Sequence, residues 1–133
     1  TVRHIGRAWK RYDSDSYMGG ILMMRHCDFT DVNGYPNDFF GWGGEDDELR
    51  DRIQRAGLKV ERNVYGTIID QEQLSLPEKL SRLKRMHQQC QDKCERREWH
   101  RNHPGTSGFH QLDYDIVKVN MYSPNCFHYV TAF

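Results

Sequence analysis

The sequence predicts an α/β domain, and three observations support that class. The chain has 133 residues, which is the length of one domain. Apolar side chains recur at helical spacing in two segments, Glu45–Arg55 and residues 76–99. Short apolar or alternating runs, which are typical of strands, occupy residues 17–24, 58–61, 64–69, 112–119 and 127–130. The last two runs are spaced as a closing hairpin.

Composition limits the classes of partner. The 19 basic and 19 acidic side chains give a formal net charge of +0, so no bulk charge attracts nucleic acid or anionic lipid. No apolar run approaches the roughly 20 residues of a membrane span. The chain starts at Thr1 without a signal-peptide pattern, which is typical of a fragment or a processed chain. We therefore expect recognition through a local site, without nucleic acid and without membrane contact by this segment.

The first part of the chain predicts a short helix, a polar turn and a strand. Apolar spacing places the helix over residues 5–9, and Asp13-Ser14-Asp15 ends it. That triplet is typical of a polar turn, although an Asp-x-Asp pair can also hold a divalent cation that bridges phosphates. The buried strand over residues 17–24 contains Gly19-Gly20, which marks either a bulge or a wall that a ligand approaches closely.

A glycine-rich loop lies between two predicted helices. Asp28 is expected to be the N-cap of a short helix that Gly34 terminates. An aromatic loop over residues 35–44 then leads into the helix Glu45–Arg55, for which Gly57 supplies the stop.

The most unusual chemistry lies in residues 40–49. Three glycines surround Trp42, and four acids follow directly. Acids in a first turn complement the helix dipole, and Glu48 also stands four residues before Arg52, so helix stability suffices to explain Glu48. Helix initiation does not explain a bulky ring between glycines. Close backbone approach, a flat ring and clustered carboxylates together indicate a site for a polar, flat-faced ligand.

The second half of the chain is dominated by one predicted amphipathic helix over residues 76–99, with Pro77 at its start. Its apolar stripe is typical of core packing. His87, Cys90 and Cys94 share a face of this helix, so they are either buried thiols beside a surface histidine or the ligands of a structural zinc ion.

The four cysteines are too few for a disulfide-dense fold. One bridge between distant residues, such as Cys27 with Cys126, stays open. The redox compartment is therefore undecided.

Three sequence blocks resemble one enzyme family. They are Tyr17-Met18-Gly19-Gly20, Asn33-Gly34-Tyr35-Pro36-Asn37 and Gly41-Trp42-Gly43-Gly44-Glu45-Asp46-Asp47. In them the chain is similar to the C-terminal half of the β-1,4-galactosyltransferases, and a weaker likeness extends from Arg3 to Tyr122. The resemblance implies the GT-A-like fold of nucleotide-sugar transferases, with a mixed central sheet and flanking helices. It also implies that residues 1–133 are a C-terminal catalytic subdomain, whose partner would be an N-terminal half with nucleotide and metal sites.

The resemblance implies an activity and a site. The family transfers galactose or a related hexose from a UDP-sugar to a saccharide acceptor hydroxyl with inversion, usually with manganese, and a eukaryotic member would work in the Golgi lumen. By position, Asp46 resembles the catalytic base. The residues that resemble ligand contacts are, for the acceptor, Trp42, Gly44, Glu45 and Asp47 and, for the donor, Tyr17, Gly20 and Trp42.

The residue types fit that chemistry. A sugar hydroxyl is a weak nucleophile near neutral pH, so a carboxylate must accept its proton during attack on the anomeric carbon. Asp46 stands in a first helical turn, where the helix dipole favours the ionised form and neighbouring acids oppose it. The direction of its pKa shift is left open by the sequence.

The metal site departs from the family pattern. The Asp-Val-Asp motif of the family belongs upstream of Arg3, and its downstream Met-x-x-His segment falls by ungapped counting on Glu72 and Ser75. Asp70 or Glu72 could replace it as oxygen ligands, although such a polar run is typical of a solvated loop. Manganese is therefore implied without identified ligands, and we expect the chain alone to be inactive. The alternatives are a noncatalytic carbohydrate-binding module and a zinc-stabilised structural domain.

Overall fold

The computed structural model describes residues 1–8, 14–62, 65–69, 71, 74–123 and 127–132. Its helices are α1 (His26–Asp31), α2 (Glu45–Arg55), α3 (Leu76–Arg85) and α4 (Lys93–Asn102). Its strands are β1 (Val2–His4), β2 (Leu22–Met23), β3 (Val60–Arg62), β4 (Ile116–Ser123) and β5 (Phe127–Ala132). Short 3₁₀ helices span Ile5–Ala8 and Phe109–Gln111. The predicted α/β class is confirmed.

β1 is the central strand of a mixed three-stranded sheet with the order β2-β1-β3. It pairs antiparallel with β2, where Arg3 lies opposite Met23, and parallel with β3, where Val2 lies opposite Val60. A parallel pair needs a crossover, and the chain between β1 and β3, which includes α1 and α2, supplies it. Alternate side chains of β1 face opposite sides of the sheet, so Val2 and His4 are buried while Arg3 is exposed.

The hydrophobic core lies between this sheet and α2. Its buried members are Val2, Met18, Val32, Leu49 and Ile53. Leu49 and Ile53 stand four residues apart on α2, the apolar spacing that predicted the helix, and they are 1% and 0% exposed. The helix Glu45–Arg55 is confirmed with its predicted bounds, and Gly57 follows it with a left-handed φ of 66°. This packing fixes the orientation of the acid-rich first turn of α2.

The predicted strand over residues 17–24 is confirmed only at Leu22–Met23. Residues 17–20 form no regular strand, although Met18 is buried. At the N-terminus the chain forms β1 and then the 3₁₀ helix Ile5–Ala8, while Trp9 and Asp13 lie outside the described residues. Asp15 and Ser16 form the predicted turn. Residues 65–69 form no strand, and Val64 lies outside the described residues.

The role predicted for Asp28 is wrong. α1 begins at His26, so Asp28 lies inside the helix and makes no cap. Its carboxylate is 3% exposed and accepts hydrogen bonds from Arg25 Nε at 2.9 Å and Arg25 Nη2 at 2.7 Å. A buried carboxylate needs such a partner, and this requirement outweighs the local capping preference. α1 ends at Asp31, before the predicted Asn33, and the left-handed residues that follow it are Asn33, with a φ of 60°, and Gly34, with a φ of 55°.

The single long helix predicted over residues 76–99 is wrong, because the chain forms α3 and α4 separately. Pro77 lies in the first turn of α3 as expected, and Ser75 forms a capping box with Glu78. His87 adopts a left-handed φ of 53° after α3, and residues 88–90 then bond to the Trp42 loop. Hydrogen bonds between distant parts of the backbone interrupt a helix here, and apolar periodicity does not report them.

β4 and β5 form an antiparallel hairpin in which Val119 lies opposite Val130. The predicted hairpin is confirmed, but its first strand begins at Ile116 because residues 112–115 are irregular. Within the part of the chain that the structure describes, no helix has the length and apolar character needed to cross a membrane.

Candidate functional site

A cleft of about 520 Å³ lies between residues 17–20, the start of α2 and the facing ends of α3 and α4. Its volume falls in the range of small-ligand sites. The cleft is lined by all seven residues that the sequence singled out: Tyr17, Gly20, Trp42, Gly44, Glu45, Asp46 and Asp47. Its further lining residues are Met18, Gly43, Leu76, Lys79, Leu80 and Lys93. The structure therefore brings the predicted residues together, while their individual roles stay predictions.

The Trp42 loop is held by backbone contacts with the segment between α3 and α4. The Trp42 amide donates to the Gln88 carbonyl at 2.6 Å, and the Cys90 amide donates to the Trp42 carbonyl at 3.1 Å. Gly41 makes this approach possible, because a Cβ at that position would lie 2.8 Å from the Gln88 oxygen and the backbone has a φ of 85°. The ring of Trp42 thus stands on a loop fixed from two sides.

The turn that starts α2 is packed by an aromatic layer. Gly44 is the N-cap residue with a φ of 106°, and a Cβ there would lie 2.6 Å from the Phe39 ring. The Phe39 ring stacks on buried His100 with 5.7 Å between ring centroids. His100 Nε2 in turn lies 2.9 Å from Asp38 Oδ1. Gly44 is thus required by packing as well as by conformation, and neither reason depends on a ligand.

Asp46 lines the cleft and is partly buried. Burial, with smaller contributions from the charges of Glu45 and Asp47, raises the pKa of its carboxyl to about 6. The structure thus settles the direction that the sequence left open, because desolvation outweighs the helix dipole. Gly19 accommodates this carboxyl, since a Cβ on Gly19 would overlap Asp46 Oδ2. The close approach at Gly19 is thus made by a side chain of the protein, while Gly20 lines the cleft, and the approach of a ligand to this pair stays a prediction.

The two acids beside Asp46 differ in their surroundings. Glu45 Oε2 is buried and has no hydrogen-bond partner among the residues described. Asp47 is 42% exposed and pairs with Arg50 Nη1 at 3.1 Å and, more weakly, with Arg97 Nη1 at 3.7 Å. A buried unpartnered carboxylate oxygen is energetically costly. Because protein atoms enclose this oxygen, a ligand in the cleft would meet Asp47 and the remaining surface of Glu45 rather than Glu45 Oε2.

Sequence reasoning missed several groups around the acids. Burial, and after it the charges of Asp46 and Glu45, raise the pKa of Tyr35 to about 12. Tyr35 belongs to the Asn-Gly-Tyr-Pro-Asn block, so a signal existed. Lys79 and Lys93 reach the cleft from α3 and α4, and nothing in their sequence context marked them.

Glu48 supports the helix as predicted and also ties it to the rest of the domain. Its carboxylate is 1% exposed and accepts from Arg52 Nε at 3.1 Å and from Arg55 Nη2 at 2.8 Å. Arg52 additionally donates to the carbonyl oxygens of Asn33 at 2.9 Å and of Ser107 at 2.7 Å. The α2 helix is thereby joined to the two loops behind the cleft.

The zinc prediction is wrong for the three residues proposed. His87 follows the end of α3, Cys90 is buried with its thiol 3.4 Å from Asp92 Oδ1, and Cys94 is exposed on α4. The helix break separates them, and no cluster of three or more His, Cys, Asp or Glu side chains suited to a metal occurs among the described residues.

The remaining metal and disulfide predictions fall largely outside the described residues. Asp70, Glu72 and Cys126 lie there. Ser75, the other counted position, caps α3. Cys27 is a free, exposed thiol. The described part of the chain therefore does not fit a manganese site by itself.

Comparison with known proteins places the chain among galactosyltransferases. A family model described as the N-terminal domain of galactosyltransferase matches residues 3–72. β-1,4-Galactosyltransferase 7 of Drosophila melanogaster is 34% identical over 110 residues, which cover 83% of this chain and 33% of that enzyme. Human β-1,4-galactosyltransferase 3 is 34% identical over 64 residues, or 45% of this chain and 16% of the enzyme.

Solved structures show the same relationship. The catalytic domain of Drosophila β-1,4-galactosyltransferase 7 in complex with xylobiose superposes with a TM-score of 0.61 at 29% identity, covering 90% of this chain and 50% of the solved chain. A mutant of that enzyme in complex with manganese, UDP-Gal and xylobiose gives a TM-score of 0.59 at 28% identity. The chain thus spans half the length of these solved domains and a third or less of the curated relatives.

Proposed function

Because the chain belongs to the β-1,4-galactosyltransferase family, we propose that it forms the acceptor side of an inverting transferase that moves galactose or a related hexose from a UDP-sugar to a saccharide hydroxyl. The observation that carries this proposal is the position of Asp46, a partly buried carboxyl with a raised pKa in a cleft that also contains Trp42 and Glu45. We place the chain in the C-terminal half of the catalytic domain on the strength of its Trp-Gly-Gly-Glu-Asp-Asp block. The family description refers to an N-terminal domain, so this placement is part of the proposal.

In this mechanism Asp46 is the general base. The acceptor hydroxyl approaches the anomeric carbon of the donor, its proton passes to an Asp46 carboxylate oxygen, and the bond from the anomeric carbon to the diphosphate oxygen breaks. A single displacement inverts the anomeric centre. A pKa of about 6 suits this role, because the carboxylate is mostly ionised at neutral pH and yet remains a better proton acceptor than an ordinary aspartate.

The other cleft residues hold the reactants. Tyr17 and Gly20 line the donor side of the cleft, and the Trp42 ring lies between donor and acceptor. The Glu45 carboxylate, which lines the cleft, accepts a hydrogen bond from an acceptor hydroxyl, and Asp47 assists while it is paired with Arg50. Fixing two reactants in this way removes much of the entropic barrier to transfer.

A related enzyme was solved with manganese, and a metal ion of that kind stabilises the charge of a departing diphosphate. The described residues of this chain offer no cluster that fits it. We propose that its ligands belong to the other half of the catalytic domain or to the undescribed residues, Asp70 and Glu72 among them. No step above depends on that ion.

The decisive test is Asp46→Asn in a protein that also contains the N-terminal half, assayed with UDP-galactose, manganese and a panel of xylosides, glucosides and N-acetylglucosaminides. Removing a general base should lower turnover by at least about 100-fold. With the native residue, the rate should rise with pH through about pH 6, because Asp46 must lose its proton to act. The exposed residue Asp31 provides the control Asp31→Asn.

An Asp46→Asn variant with native turnover would refute the base assignment. A native protein that binds saccharides but transfers no sugar from any donor would favour the carbohydrate-binding module instead. The 133-residue chain alone should show no transfer.

A further inference from the structure

A buried hydrogen-bond relay lies directly behind the donor wall of the cleft. His4 on β1 is 0% exposed, and its Nε2 lies 3.0 Å from the Gly19 carbonyl oxygen. Arg62 Nη1 on β3 lies 3.1 Å from His4 Nδ1 and donates to the Tyr17 carbonyl at 3.0 Å. Two neighbouring strands of the sheet thus hold the irregular segment 17–20, which is not itself paired with the sheet as a strand.

The partners determine the tautomer of His4. A guanidinium can only donate, so His4 Nδ1 must accept from Arg62. The ring proton then resides on Nε2, which donates to the Gly19 carbonyl. The relay therefore runs in one direction, from Arg62 through the neutral imidazole to Gly19.

Packing around the relay leaves little freedom for the wall to move. A Cβ on Gly6 would lie 2.9 Å from His4 Nε2 and 2.5 Å from the Gly19 oxygen. The His4 and Tyr17 rings meet edge to face with 5.7 Å between centroids. These contacts fix both the carbonyl and the aromatic ring that the wall presents.

The wall in turn surrounds Asp46. A Cβ on Gly19 would overlap Asp46 Oδ2 and would lie 2.7 Å from Tyr17 Oη, so the carboxylate lies directly against this segment. Any shift of Gly19 away from the carboxylate would admit water to it. The polar contacts of His4 and Arg62 are thus transmitted to Asp46 through one residue.

We propose that His4 and Arg62 are positioning residues, which hold the Tyr17–Gly20 wall against the Asp46 carboxylate. They thereby fix the position of the base relative to the donor side of the cleft. This inference rests on the proposed function for its catalytic meaning. Its structural content, the dependence of the Asp46 environment on two side chains of the sheet, can be tested without any substrate.

The test follows the Asp46 side chain by ¹³C NMR during a pH titration, with Asp46→Asn used to assign the signal. Asp46 should titrate near pH 6 in the native chain. In His4→Phe an aromatic ring is kept and the hydrogen bonds are lost, and the midpoint should fall at least half of the way toward the ordinary aspartate value of about 3.9. His4→Gln keeps a donor and an acceptor and should retain the native midpoint.

Arg62→Met gives a second route, because Arg62 is only partly buried and its loss threatens folding less. In Arg62→Met the titration midpoint of Asp46 should fall as it does in His4→Phe. The matched control is Arg3→Met, which removes an exposed arginine from the same sheet and should leave the titration unchanged.

A folded His4→Phe or Arg62→Met chain with an unchanged Asp46 midpoint would overturn the proposal. So would a His4→Gln midpoint that falls as far as that of His4→Phe, since the midpoint would then not depend on the hydrogen bonds. These outcomes are separate from the transferase proposal, because an inactive protein that shows the expected shifts would refute the activity and leave the relay intact.

Discussion

The two walls of the cleft are built on opposite principles. On one side α2 buries four side chains, Glu48, Leu49, Arg52 and Ile53, and its N-cap Gly44 contributes no side-chain hydrogen bond. On the other side α3 has no fully buried side chain, and the Ser75 capping box stabilises its N-terminus. Fully buried side chains anchor the first wall, whereas the second has only partly buried or exposed side chains and a local cap.

The difference matches the chemistry assigned to each wall. The carboxylates that must keep an accurate geometry stand on α2, where core packing and the Arg52 contacts fix the backbone. α3 contributes Leu76, Lys79 and Leu80, which line the cleft and have no proposed part in proton transfer. A weakly anchored wall can change its side chains without disturbing the base. We therefore expect α2 to carry the reaction and α3 to adapt the cleft to its acceptor.

The largest effect on this comparison should come from Arg52→Met. The change leaves Glu48 buried with a reduced partner set and removes donors from the carbonyls of Asn33 and Ser107. Breaking a buried ion pair of this kind costs about 3–5 kcal/mol of unfolding free energy. Urea unfolding followed by circular dichroism measures it.

The control for that experiment is Arg55→Met. Arg55 also contacts Glu48 but is 39% exposed, so its loss should cost less than about 1 kcal/mol. If the two variants proved equally stable, the Arg52 contacts would not be what anchors the α2 wall.

A smaller effect is expected where the two walls join. Gly41→Ala would press a methyl group against the Gln88 carbonyl, 2.8 Å away, in a left-handed conformation. Gly57→Ala has the same conformational penalty, with a φ of 66°, but nothing within 4 Å. Gly41→Ala should therefore destabilise the chain by about 1–3 kcal/mol more than Gly57→Ala, a difference that thermal unfolding can resolve. Equal effects would mean that the contact between Trp42 and residues 88–90 is easily rearranged.

The sequence predicted features that depend on local spacing. Leu49 and Ile53 defined α2 because helical periodicity and core packing coincide there, and Glu48 with Arg52 followed from their separation of four residues. The division of residues 76–99 into two helices was not predictable, because its cause is a hydrogen bond from Trp42 to a residue 46 positions away. The spacing of apolar residues continues unchanged through residues 86–92, where the helix is interrupted.

The site shows the same limit. The sequence and its family resemblance supplied the acids and the ring, since these lie in one continuous block. The raised pKa of Asp46 depends on burial by Gly19 and its neighbours, which only the folded chain brings close. Lys93 likewise lies beside Gly43 through the packing of α4. Residue types were thus readable from the sequence, but their protonation and neighbours were not.

The smallest effect should come from Ser75→Ala, which removes the local support of α3. Ser75 Oγ accepts from the Glu78 amide at 3.4 Å, and Glu78 Oε2 accepts from the Ser75 amide at 2.9 Å. Losing an N-cap of this type costs about 1 kcal/mol, and hydrogen exchange should show it as faster exchange of α3 amides, with α2 amides unchanged. Ser81→Ala, an exposed change within α3, is the control.

The Ser75 contacts lower the pKa of Glu78, so the stabilisation is present above the ordinary glutamate pKa and is lost as the pH falls through the lowered value. Native α3 amides should therefore exchange faster in acid, after correction for intrinsic rates, and Ser75→Ala should abolish most of that dependence. If Ser75→Ala accelerated amide exchange equally in α2 and α3, the two helices would unfold together. α3 would then be anchored to the core, and the contrast between the two walls would fail.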